Sequence, residues 1–277
     1  MSAPFRSILI LGLATVLSGC SLGKPFRPMT PSQIISAEQS RVASAAMEKG
    51  NWEEAEKKFE EAVKLNKKDA ELRRHYAEAL WTRGKHRESL EQLNEAAKRS
   101  NGTDASLEIS FAEKYLFLGD LSRAYGHANR AVRCDPKEYR SWALRGKATW
   151  SLAERQMGQG SVEETAKAFD QARNDYYRAL SLSPSNRNIL LELASLQMRR
   201  NEPEYALATW QNLQELYPLG SEPTYVLQGK ADAYLAMDRT VDAAACLLIA
   251  QQRFPNDPGI LERLRQLEAS NVSGVRR

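Results

Sequence analysis

Gly50-Asn-Trp-Glu-Glu-Ala55-Glu-Lys-Lys-Phe59-Glu-Glu-Ala62 decides the reading of this chain, because its spacing recurs. Thirty-four residues on, Gly84, Ser89, Leu93 and Ala96 hold the same offsets, and thirty-five further on Gly119, Ala124, Ala128 and Ala131 hold them again. Each copy is a glycine, a small residue five later, an apolar or small residue nine later and an alanine twelve later. The last three fall on one face of an α-helix, and the glycine suits the turn before it. A period near 34 with this content predicts stacked helix-turn-helix units.

Composition agrees with an all-α chain. Among the 277 residues the strong helix formers Ala, Leu, Glu, Lys, Arg and Gln are plentiful, and the eleven prolines fall mostly between helical stretches. The net charge is +4, from 39 basic and 35 acidic side chains that are interleaved along the sequence. That pattern predicts a solvated helical surface and argues against nucleic acid as a partner. Cys134 and Cys246 fall three units apart, too far to bridge in a solenoid whose units touch only their neighbours, and both read as buried apolar fillers. Neither a Cys-x-x-Cys pair nor a His-rich cluster suggests a metal, and no cofactor is expected.

On these offsets the chain resembles the tetratricopeptide repeat (TPR) proteins. Six repeats start near residues 36, 70, 105, 139, 187 and 224. The first offers Val42, Ala43, Ala46, Ala55, Phe59 and Ala62, and the fifth Leu190, Leu193, Ala194, Ala206, Trp210 and Leu213. The resemblance implies a right-handed superhelix in which small residues let paired helices approach and a large residue late in the second helix fills the gap to the next repeat. Gln39, Arg73, Gln197 and Lys230 depart from the apolar pattern.

The fourth repeat is fourteen residues too long between Trp142 and Pro184. Seven residues are close to two helical turns, so both helices can lengthen by seven and keep their stripes in phase. The expectation is a hairpin projecting roughly 10 Å beyond its neighbours, with Gly158-Gln-Gly160 as its tip and a capping box from Ser161 to Glu164. Thr30-Pro31-Ser32-Gln33 reads as the first helix start, and Ile260, Leu264 and Leu267 mark a last helix that caps the array.

The first residues read differently. Arg6 precedes an apolar run, Ser7–Leu17, that is too short for an ordinary transmembrane helix and has the layout of a signal peptide. Leu17-Ser18-Gly19-Cys20 resembles the lipobox of bacterial lipoproteins, which implies cleavage before Cys20 and acylation there. The domain expectation is a signal peptide over 1–19, an acylated Cys20 and tether over 20–30, an array over 31–257 and a capping helix and tail over 258–277. Several acyl chains would anchor the chain stably. Ser21, in place of an aspartate that signals inner-membrane retention in some bacteria, leans towards the outer membrane.

The resemblance also implies a concave face lined by the first helix of each repeat, where such arrays take a peptide or a helix. Its twelfth position is apolar throughout: Met47, Trp81, Leu116, Trp150, Met198 and Leu235, with Phe117 beside it. Arg74, Glu78, Glu113, Lys147 and Arg199 flank this stripe. The carboxylate clamp of chaperone-binding TPR domains is missing, since Ser40, Ser44, His75, Ser106 and Ser110 stand where its Lys, Asn and Arg residues would be. His75, His86 and His127 read as isolated helix or turn residues, and no phosphate-cradling loop or Gly-x-Ser-x-Gly elbow is present. The expectation is a non-enzymatic, lipid-anchored scaffold of a bacterial envelope, similar to the pilotins of type IV pilus assembly or to TPR lipoproteins of β-barrel assembly and cell-wall enzyme docking. A small-substrate enzyme and a self-assembling array are the alternatives.

Overall fold

A computed structural model describes residues 28–100, 103–157 and 161–274, the last seven by backbone alone. The signal peptide, Cys20, most of the tether and the Gly158–Gly160 tip lie outside the described residues.

The described residues form thirteen helices in hairpins: α1 (Pro31–Glu48) with α2 (Trp52–Leu65), α3 (Ala70–Thr82) with α4 (His86–Ser100), α5 (Ala105–Phe117) with α6 (Leu121–Cys134), α7 (Tyr139–Gln156) with α8 (Val162–Leu182), α9 (Arg187–Arg199) with α10 (Pro203–Glu215), α11 (Thr224–Ala236) with α12 (Thr240–Arg253), and a single α13 (Pro258–Gly274). Each helix packs on the next in sequence, so the hairpins stack in order. This is the all-α solenoid that the recurring offsets predict.

One turn closes five of the six hairpins. Gly50 takes φ +76°, and its N–H donates to the Met47 carbonyl while that of Asn51 donates to the Ala46 carbonyl. The same pair of bonds recurs at Gly84, Gly119, Asn201 and Asp238, closing the otherwise open carbonyls of the first helix. Asn201 and Asp238 hold φ 58° without being glycine, which their short polar side chains permit. Between repeats, Asp69, Asp104 and Asn186 start the following helix by accepting from the N–H groups of Leu72, Leu107 and Ile189. Thr30 and Gln33 form a complete reciprocal capping box at α1.

Alanines set the spacing of the helix pairs. Ala43, Ala77, Ala112, Ala194 and Ala231 on the first helices, and Ala55, Ala124, Ala206 and Ala243 on the second, are fully buried. Ser89 replaces alanine in the second pair and donates its Oγ–H to the Ala77 carbonyl at 2.7 Å. Phe59, Leu93, Tyr176, Trp210 and Leu247 then fill the step to the next repeat, each burial contributing about 2 kcal/mol. Of the polar departures, Arg73, Gln197 and Lys230 are paired, whereas the buried Gln39 Oε1 has no hydrogen-bond partner. Buried Arg73 donates to the Lys67 carbonyl and to Gln92 Oε1, and buried Gln197 accepts from Thr209 Oγ1 at 2.8 Å. At the far end Ile260 and Leu267 of α13 close the core over Leu227, Ala231, Leu247 and Ala250. Cys246 is buried there, whereas Cys134 is only half-buried, so the reading of both as core fillers holds for Cys246 alone.

The fourth hairpin is elongated, but unequally. α7 has 18 residues against 13 in α5, and α8 has 21 against 14 in α6. The equal division into seven and seven is therefore replaced by five and seven with a longer connection. Ser161 caps α8 by accepting from the Glu164 N–H at 3.1 Å, the serine half of the expected box. Arg199 of α9 reaches Glu154 on the extension, tying its base to the next repeat.

Candidate partner-binding groove

The first helices of successive repeats touch one another, α5 against α7 and α7 against α9. Their shared face carries the apolar twelfth positions. These residues are half-buried; Met47 and Leu235 pack on the first and last cores, and the other four fall into two groups.

The first group lies where α3 and α5 end. Trp81 stacks on His86, ring centres 4.2 Å apart, and Phe117 meets both rings edge-on at 5.3 Å. Phe117 is 68% exposed. Beneath this cluster the Lys114 ammonium sits 5.2 Å from the Trp81 ring and is held by both oxygens of Glu78 at 2.8 Å. Lys114 is 3% exposed, so Glu78 serves chiefly to neutralise a buried charge. Glu113 stands nearby, its carboxyl pushed up by burial. Arg74 is engaged by Glu71 and His75. Leu116 is half-buried beside Phe117.

The second group surrounds a concavity of about 550 Å³ lined by Trp150, Glu154, Ser195, Met198, Arg199, Trp210, Gly229 and Asp232. Trp150 packs against the core of Ala172, Tyr176, Ile189, Leu193 and Leu196, and Met198 against the next core. The indole N–H groups of Trp150 and Trp210 are buried and have no hydrogen-bond partner. Burial pushes the Asp232 carboxyl up, against the pull of Arg263. Lys147, on the same helix as Trp150, is paired with Glu192 of α9.

The charges that flank the stripe form a ladder between neighbouring helices, Glu78–Lys114, Lys147–Glu192 and Glu154–Arg199. The histidines are not isolated: His86 joins the aromatic cluster, His75 meets Glu71, and His127 donates to the Glu108 carboxylate at 2.8 Å while stacking on Phe111 and Tyr115. The only sequence signal for the Trp81–His86 pair is their separation of five residues across the Gly84 turn. Among the described residues no three His, Cys, Asp or Glu side chains converge to hold a metal ion.

An open stack of helical hairpins with an exposed aromatic cluster is an architecture suited to binding. Residues 43–105 match the family model described as tetratricopeptide repeat. Beyond that match, the hairpin stack of the other described residues has the same tetratricopeptide-repeat fold, one that commonly binds protein partners. A solved structure reported as the functional characterization of Pseudomonas aeruginosa pilF superposes with TM-score 0.67 at 15% identity, over 87% of this chain and 100% of that one. PilW, described as a widely conserved type IV pilus biogenesis factor, superposes with TM-score 0.70 at 16% identity, over 83% of this chain and 98% of that one. At these identities the likeness is one of fold. By sequence, 141 residues are 27% identical to the BBSome complex member BBS4 of Xenopus tropicalis, covering 51% of this chain but only 24% of that protein, so the match spans about a quarter of the curated relative's length.

Proposed function

We propose that this chain is a non-enzymatic, lipid-anchored scaffold that holds a protein partner at a bacterial membrane through the concave face of its first helices. The observation that carries the reading is the Trp81–His86–Phe117 cluster, in which a large ring stands mostly in water at the junction of two repeats. Exposed aromatic anchors on a rigid scaffold contribute most to binding energy when a partner covers them.

Anchoring rests on Leu17-Ser18-Gly19-Cys20, which would place acyl chains on Cys20 and the array a short tether away from the leaflet. No described helix is long and apolar enough to cross a membrane. The fold likeness to PilW, a type IV pilus biogenesis factor, supports a place in pilus or other envelope assembly, and Ser21 after the acylated cysteine leans towards the outer membrane. Partner capture by the chain from solubilised membranes tests the groove. Trp81→Ala with Phe117→Ala should abolish capture while circular dichroism and melting hold, and undiminished capture would remove the groove from the account. Intact mass of the purified chain tests the anchor separately, since an unmodified Cys20 contradicts it.

A further inference from the structure

Arginine, carboxylate and aromatic ring recur together along this array. Arg145 grips Asp175 with two bonds, at 2.9 and 2.7 Å, and its guanidinium lies 4.7 Å from the Trp142 ring centre. Arg239 pairs with Asp242 at 2.8 Å and lies 4.6 Å from the Tyr234 ring. Arg123 pairs with Asp120 at 3.4 Å and lies 5.4 Å from the Tyr115 ring. A guanidinium suits both neighbours, because its fork matches a carboxylate and its flat face stacks on a ring. In each of these three places the chain supplies the arginine itself.

On α5 a carboxylate and a ring stand together without one. Glu113 and Phe117 are four residues apart on the same helix, so their side chains are neighbours on one face. Phe117 is mostly in water, and among the described residues no cation lies over its ring. Glu113 is exposed too, and no hydrogen bond or ion pair engages its carboxylate. The cations whose charges act on it are Lys114, Arg140 and Arg74. Each already has a carboxylate of its own: Glu78 for Lys114, Glu138 for Arg140 and Glu71 for Arg74. Arg155 of α7, which reaches this end of α5, donates to the Gly119 carbonyl. Glu113 is therefore a carboxylate in excess beside a ladder of matched charges. We infer that Glu113 and Phe117 take an arginine side chain of the protein partner, its guanidinium forked onto the carboxylate and stacked on the ring. Trp81 and His86 hold the Phe117 ring edge-on, so the ring is in place before the arginine arrives. Lysine fits less well, since an ammonium is a point charge that cannot fork and stack at once. The inference rests on the groove reading and names what that groove selects.

A random peptide library displayed on phage, selected on the full chain in mild detergent, tests it. The selected peptides should be enriched in arginine. The tightest of them is synthesised, and its arginine is exchanged for citrulline, which keeps the shape and loses the charge. By titration calorimetry that exchange should weaken binding to the native chain by about tenfold, and binding to a Glu113→Gln chain by less than about twofold. Glu113→Gln should leave the helical spectrum unchanged, because no residue of the chain relies on that carboxylate. Selected peptides without arginine, an empty selection, or an equal citrulline cost on the native and Glu113→Gln chains overturns the inference. The groove reading fails by a different result. Peptides that bind undiminished to a Trp81→Ala, Phe117→Ala chain sit elsewhere and count against both. Peptides that lose that chain but ignore Glu113→Gln leave the groove standing and remove the arginine.

Discussion

The indole of Trp210 lies flat against the backbone of Gly229, so close that a methyl group built on that glycine would stand 2.3 Å from the ring. Trp210 is the large residue that fills the step from the fifth repeat to the sixth, and Leu190, Ala194, Ala206, Leu213 and Val226 hold it in place. Exchanging a helical glycine for alanine ordinarily stabilises by about 1 kcal/mol. Here the rigid ring must shift out of its packing, and overpacking of this kind costs about 2–3 kcal/mol. The second effect wins. Gly229→Ala should lower the urea unfolding midpoint, followed by tryptophan fluorescence, and an unchanged or raised midpoint would show that the two repeats are less tightly joined.

Trp150 and Phe117 stand at neighbouring positions of the repeat pattern but should behave oppositely. Trp150 is wedged against Tyr176, Ile189 and Leu193, and truncation there leaves a cavity between two repeats. Trp150→Ala is expected to cost about 3 kcal/mol in denaturant melts. Phe117→Ala removes a ring that is mostly in water and should change stability by less than about 0.5 kcal/mol. Equal costs would contradict the division into a structural and an exposed residue.

Lys114 depends on Glu78. Glu78→Gln leaves a buried ammonium without its counter-charge and should destabilise by about 3 kcal/mol. Adding Lys114→Met should return most of that loss, because the pair is then replaced by neutral side chains. A single Glu78→Gln variant with native stability would mean that Glu78 is free to serve a partner.

Glu108 supplies a pH dependence of known sign. Burial pushes its carboxyl up, but the hydrogen bond and charge of His127 and the Arg130 guanidinium outweigh this and hold it below its ordinary value of 4.5. A carboxyl depressed in the folded state adds stability above its unfolded value, and loses it as pH falls through the folded value. The native chain should therefore weaken as the pH drops below about 4.5, and Glu108→Gln should show a shallower decline over the same window. Urea midpoints at neutral and acidic pH decide it, and parallel declines would exclude Glu108 as the cause.

The fold was legible because it repeats. Gly50, Gly84 and Gly119 mark turns that must enter left-handed backbone, and the small residues five later and alanines twelve later mark the close helix contacts. The same turn at Asn201 and Asp238 carried no glycine, so its place had to be inferred from the neighbouring helices. The unequal division of the fourth hairpin was not legible either, since a stripe in phase constrains the total length and not how the excess is shared. At the groove, the twelfth positions were visible as an apolar series. What each one does depends on its neighbours: Trp150 leans into a core, while Phe117 meets the rings of Trp81 and His86 and stays mostly in water. The charge ladder from Glu78 to Arg199 joins residues 36 to 45 apart, beyond what local spacing can show.

Site-specific photocrosslinking in living cells tests the central claim most directly. A benzophenone side chain in place of Phe117 should yield a discrete protein adduct, whereas the same probe at Lys57, on the outer face of α2, should not. Adducts from position 57 with none from position 117 would contradict a partner held on the inner face of the array.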